Sequence, residues 1–132
     1  MKCAISIKTL SLSIAFCVVA ACAEFDVCGN LKSIPDDGLQ EYFQQLDKNE
    51  LSHSLYLMGE CSDIRYIRIL AEYLNDHRIS HHAQHKGMKL NYISAISLVK
   101  VLKIEMDLRK NTVTDEQVET LKSLVRRIES QM

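Results

Sequence analysis

From Pro35 onward the apolar residues return with the period of a helix in five separate stretches. Leu39, Tyr42, Phe43 and Leu46 stand at i, i+3, i+4 and i+7, behind Pro35, Asp36 and Asp37. A missing amide and negative charge both suit a helix start, so this spacing predicts a first helix. Asp47-Lys48-Asn49-Glu50 has the spacing of a capping box with Asp as the cap, and Leu51, Leu55 and Met58 then share one face up to Gly59. The second helix is predicted to end near Glu60. Ser62-Asp63 supplies the next cap, ahead of a stripe of Ile67, Leu70, Ala71 and Leu74 with Tyr66 and Tyr73 beside it, and the third helix should end near Asn75.

Between Leu90 and Met106 the pattern changes. Ile93, Ala95, Ile96, Leu98, Val99, Val101, Leu102 and Ile104 spread around most of the helix and leave a narrow polar line through Ser94, Ser97 and Lys100. A helix apolar nearly all round belongs in the middle of a core. Thr114-Asp115-Glu116-Gln117 is then a full capping box for Val118, Leu121, Leu124, Val125 and Ile128, an amphipathic outer helix. No segment alternates convincingly enough for a strand, and the predicted fold class is all-α.

The chain before these helices reads differently. Lys2 and Lys8 precede a twelve-residue apolar run, Leu10 to Ala21, and the small residues Ala20, Ala21, Cys22 and Ala23 follow. These are the three parts of an export signal, and the run is shorter than the ~20 residues a membrane-spanning helix needs. Residues 1–23 are therefore expected to be removed, leaving a single helical domain at 24–132. Ala21-Cys22-Ala23 fits a signal-peptidase site, whereas Val19-Ala20-Ala21-Cys22 resembles the lipobox of bacterial lipoproteins, which implies lipidation of Cys22 and attachment to a membrane. Both place the mature protein outside the cytoplasm, either periplasmic or lipid-anchored at the cell envelope.

Composition narrows the function. The 132 residues, 47% hydrophobic and 25% charged, suffice for one small domain and exclude a multidomain enzyme. Sixteen basic and seventeen acidic residues lack the basic excess that binding to phosphate backbones requires, so nucleic acid is not an expected partner. Without residues 1–23 the balance is 14 basic to 17 acidic, or −3. Of the five cysteines only Cys28 and Cys61 remain as ordinary thiols, and in an oxidising compartment they are expected to pair. Closing that loop would constrain the unfolded chain by about 3.5 to 4 kcal/mol in the chain-entropy model.

The stretch Leu55 to Val101 resembles bacterial HEAT-like repeats, in which a leucine-rich helix ending in Gly-Glu leads to Asp-Pro-Arg and a further helix. Gly59, Glu60, Asp63 and Arg65 carry the likeness, and the 44-residue unit from Ser62 to Glu105 lies within the ~40 to 47 of such repeats. Ile64 stands at the usual proline position, and the link between paired helices is lengthened to residues 76–89. The resemblance implies a short αα-superhelical stack of about five helices used as a binding surface, with no catalytic residues. An irregular helical bundle is the alternative that short amphipathic helices equally support.

The lengthened link is the unusual feature. Residues 76–89 read DHRISHHAQHKGMK and hold His77, His81, His82 and His85 beside Arg78 and Lys86. The loop is the expected binding element for a protein partner, or it packs back onto the third helix. If Ser80 caps a short helix that Gly87 ends, His81 and His85 fall one turn apart, a spacing that suits Zn, with Glu72, Asp76 or His77 to complete the shell. There is no Gly-x-Ser-x-Gly, no His-Glu-x-x-His and no phosphate-binding glycine loop, so no enzyme activity and no cofactor are expected beyond that Zn. The expectation is a non-enzymatic exported protein-binding module. An immunity or inhibitor protein that blocks a toxin or hydrolase, and a His-cluster metal-binding protein, are the alternatives.

Overall fold

The computed structural model describes residues 27–132. The expected export signal at 1–23, with the lipobox-like stretch at 19–22 and Cys22, lies outside the described residues. The chain divides between Ile34 and Pro35 into two compact units. Of the first, the described part holds one short helix, α1 (Val27–Lys32), which the apolar spacing did not predict. The second unit carries α2 (Leu39–Gln44), α3 (Lys48–Cys61), α4 (Ile67–Glu72), α5 (Leu90–Leu102) and α6 (Asp115–Ser130). Single-turn 3-10 helices at Asp36–Gly38 and Ile64–Tyr66 lead into α2 and α4. Among the described residues there is no strand, only an isolated antiparallel bridge between Ile79 and Lys89, and the fold is all-α. Cys28 and Cys61 are both disulfide-bonded, as expected of these two thiols. None of the described helices is long and apolar enough to cross a membrane.

The caps lie where the side chains predicted them. Asp47 accepts from the amides of Asn49 and Glu50 (2.8 and 2.9 Å), Asp63 accepts from that of Arg65, and Thr114 with Gln117 closes a reciprocal capping box. Two helices end early. α4 stops at Glu72 and runs out through turns to Asn75, and α5 stops at Leu102, where Lys103 takes a left-handed conformation (φ 55°). There the amide of Ile104 reaches back to the carbonyl of Val99 across the turn that Lys103 makes, an end that satisfies carbonyls the helix would otherwise leave open.

α5 lies at the centre of this unit and packs most extensively on α3, then on α4. Its polar line is what faces those neighbours. Ser94 and Ser97 are buried: the Ser94 hydroxyl donates to the carbonyl of Leu70 on α4, and that of Ser97 to the carbonyl of Leu55 on α3 (2.7 Å). Both hydroxyls are satisfied by main chain, so burying them costs little, and their small size lets the helices come close. At the α3 crossing the facing residue is Gly59, where an added Cβ would lie 2.8 Å from Ser97 Cα. Leu51, Leu55, Met58, Leu70, Leu98 and Leu121 fill the core around this contact.

Candidate functional site

Residues 76–89 close on themselves before they meet the helices. The amide of Leu90 donates to Arg78 (2.9 Å) and that of Asn91 to Asp76 (2.8 Å) at the base, and the Ser80 and Gly87 amides donate to Met88 and Ser80 (both 2.9 Å) above it. Gly87 turns the chain with φ 85°, a conformation that favours glycine. Two asparagines outside the loop then hold it from either side. Asn49 on α3 accepts from the His81 amide (2.8 Å), while Asn111 accepts from the Lys89 amide (2.7 Å) and donates to the Gly87 carbonyl (3.0 Å).

A chain of hydroxyls completes the fastening. The His82 amide donates to Ser80 Oγ (3.1 Å), the buried Ser80 and Ser52 hydroxyls are 2.6 Å apart, and Ser52 donates to the Asn49 carbonyl (2.7 Å). Every hydroxyl in this relay has a partner, so the polar contact fixes the loop without leaving a buried group unpaired. The loop therefore packs on α3, the second predicted helix.

This contact gathers histidines in a combination the spacing did not predict. His53 on α3 meets His82 and His85 of the loop, with one ring nitrogen from each lying within 4.8 Å of the others. His53 Nδ1 and His85 Nε2 are 3.2 Å apart in a hydrogen bond, and the His53 and His82 rings stack at 4.4 Å with 9° between their planes. Tyr56, one turn along α3 from His53, places its ring 4.7 Å from that of His85. Burial holds His53 and His85 below the ordinary imidazole range, and repulsion from the neighbouring rings lowers both further. Both effects favour the neutral ring, the form that binds metal.

The expected pairing of His81 with His85 on a short helix is corrected by the structure. Residues 83–87 form turns and no helix: the Ser80 hydroxyl accepts from the His82 amide as a cap would, but the His85 and Met88 amides close i to i−3 turns and that of Gly87 returns to the Ser80 carbonyl. His81 is exposed and outside the cluster, as is His77. Nor does the expected shell assemble: Asp76 is engaged by Arg78, whose hydrogen bonds and charge outweigh burial and hold its carboxyl below the usual range. Glu72 lines a cleft of about 560 Å³ with Asp36, Leu39, Arg65 and Arg68, which shares no residue with the loop. Its walls alternate in sign, and Arg65 is ion-paired to Asp36.

Of the expected binding loop, His77, Arg78, His81 and Lys86 thus form an exposed rim, while His85 is buried and His82 half-buried against α3. Ile79 joins that rim with 44% of its surface exposed. No protein family, curated protein or solved structure matches the chain.

Proposed function

We propose that this chain is a non-enzymatic protein-binding module of the bacterial cell envelope, which recognises its partner through the outer rim of the 76–89 loop. The observation that carries this reading is Ile79, a large apolar side chain left exposed on backbone that the bridge to Lys89 holds still. His77, Arg78, His81 and Lys86 are exposed on the same loop and supply polar and cationic groups. An apolar centre with a polar rim is the common anatomy of a recognition patch, and a loop already ordered loses little conformational freedom on binding. The likeness of residues 55–101 to HEAT-like repeats supports the same reading, since such αα-stacks serve as binding surfaces. The leader-like residues 1–23 support the location.

Crosslinking in native envelope extract, followed by mass spectrometry, tests the proposal with wild type and Ile79→Asp. The bridge at Ile79 uses main chain only, so this variant should keep the wild-type circular dichroism spectrum. Wild type is expected to capture one stoichiometric protein, and Ile79→Asp to lose at least about tenfold of it, as expected for a residue at the centre of an interface. Equal capture by both, or none by either, contradicts the proposal.

A further inference from the structure

We infer that His53, His82 and His85 form a binding site for one transition-metal ion of the zinc class, on the inner side of the loop and separate from its rim. The three residues come from two parts of the chain, one from α3 and two from the loop. Only the fold brings them together. Three imidazoles crowded at a partly buried contact are poorly explained as packing. Among themselves they gain the one hydrogen bond between His53 and His85, while each carries a polar ring out of water.

The donor chemistry selects the metal. Three imidazole nitrogens without a carboxylate or thiolate suit Zn, Cu or Ni and reject Mg, Ca or Mn, which need oxygen ligands. Zinc to imidazole distances of 2.0–2.1 Å in a tetrahedron put ligand nitrogens about 3.3 Å from one another. The 3.2 Å between His53 Nδ1 and His85 Nε2 already matches. His82 offers a ring nitrogen within 4.8 Å of the other two, and a turn of its half-buried ring out of the stack on His53 would bring it to ligand distance. An ion held this way takes the place of the proton between His53 Nδ1 and His85 Nε2; the ring that donated it is protonated at its other nitrogen instead and stays neutral, and a fourth position is left open to water.

The surrounding contacts prepare the site. The Ser80 hydroxyl holds the His82 amide and Asn49 holds that of His81, so the backbone carrying the loop ligands is fixed against α3 before any ion arrives. Tyr56 packs its ring against His85 and limits that imidazole's rotation. Such outer contacts orient ligands and raise affinity. Bound metal would in turn cross-link the loop to the helix, so the folded state should gain stability with zinc concentration.

The test uses the tag-free chain, stripped with EDTA and dialysed, with zinc chloride alone as the probe. Isothermal titration at neutral pH is expected to show one zinc per chain at a dissociation constant of about 10 µM or tighter, and saturating zinc to raise the melting temperature. His53→Ala and His85→Ala should each weaken binding at least about 30-fold and abolish the thermal shift. His81→Ala, outside the cluster, should leave both unchanged. His53→Gln, which keeps a polar side chain of similar reach, is the companion variant, and circular dichroism of each zinc-free protein shows that it is folded. Wild-type binding of only millimolar strength overturns the proposal, as does an equal loss in His81→Ala and His53→Ala.

Discussion

Replacing Gly59 with alanine is expected to lower the melting temperature by about 5 to 10 °C, against the direction that helix propensity predicts. Gly59 lies inside α3, where exchange of glycine for alanine ordinarily stabilises by about 0.5 to 1 kcal/mol. Here the new Cβ meets Ser97 Cα, Cβ and Oγ, each at 2.8 Å. Ser97 is part of α5 and its hydroxyl is bonded to Leu55, so neither backbone nor side chain can step aside without disturbing the largest helix contact in the unit. Overpacking of this kind costs about 1 to 3 kcal/mol, more than propensity returns, and each kcal/mol is worth about 4 to 8 °C in a domain of this size. Gly38→Ala is the control. An added Cβ there meets nothing within 4 Å, and its melting temperature should stay within about 3 °C of wild type. Thermal unfolding by circular dichroism compares the two, and a Gly59→Ala protein as stable as wild type would show that α3 and α5 are not so closely packed.

Phe43→Ala should be costlier still. α2 has six residues, too few to persist on its own hydrogen bonds, and it is held by Leu39 and Phe43, which are 4% and 0% exposed. Removing a buried phenylalanine costs about 3 to 5 kcal/mol, a large part of the roughly 5 to 15 kcal/mol by which domains are stable. Tyr42 shares the same predicted stripe, with its ring 5.0 Å from that of Phe43, but is 44% exposed, so Tyr42→Ala should cost no more than about 1 kcal/mol. Urea denaturation separates the two: the midpoint should fall steeply for Phe43→Ala and little for Tyr42→Ala, with similar slopes. Equal losses would mean that the whole stripe, and not Phe43 alone, anchors α2.

These two residues show where sequence pattern informs and where it stops. The caps at Asp47, Asp63 and Thr114 were legible because a cap acts within a few residues of itself, and the five predicted helices followed from stripes of the same local kind. The pattern could not tell Tyr42 from Phe43 on one face, nor show that the serine line of α5 faces α3 and α4. Both depend on what lies across the contact. α1 went unread because its residues VCGNLK carry only Val27 and Leu31 at helical spacing, around a glycine and an asparagine.

The site was half legible for the same reason. A cluster of four histidines in one loop was plain, but the partner of His82 and His85 is His53, about thirty residues upstream on a helix read only for its leucines. One signal was present: Asn49, Ser52, His53 and Tyr56 recur at i, i+3, i+4 and i+7, a polar stripe beside the apolar one. Asn49, Ser52 and His53 fasten the loop and Tyr56 packs against His85. Local capping logic pointed instead to Ser80 as the start of a helix; its hydroxyl does accept from the His82 amide, but the residues that follow close turns while the same hydroxyl meets Ser52 across the contact.

Residues 76–89 form a fixed element fastened to α3, and both the exposed rim and the histidine cluster follow from that fastening. Amide hydrogen exchange on the metal-free protein measures this directly. The amides of Ser80, Gly87 and Leu90, which donate across the loop, and that of His81, which donates to Asn49, should exchange at least about 100-fold more slowly than unstructured chain. Exchange of all four at the unprotected rate would mean that the loop is not held, and would contradict the account.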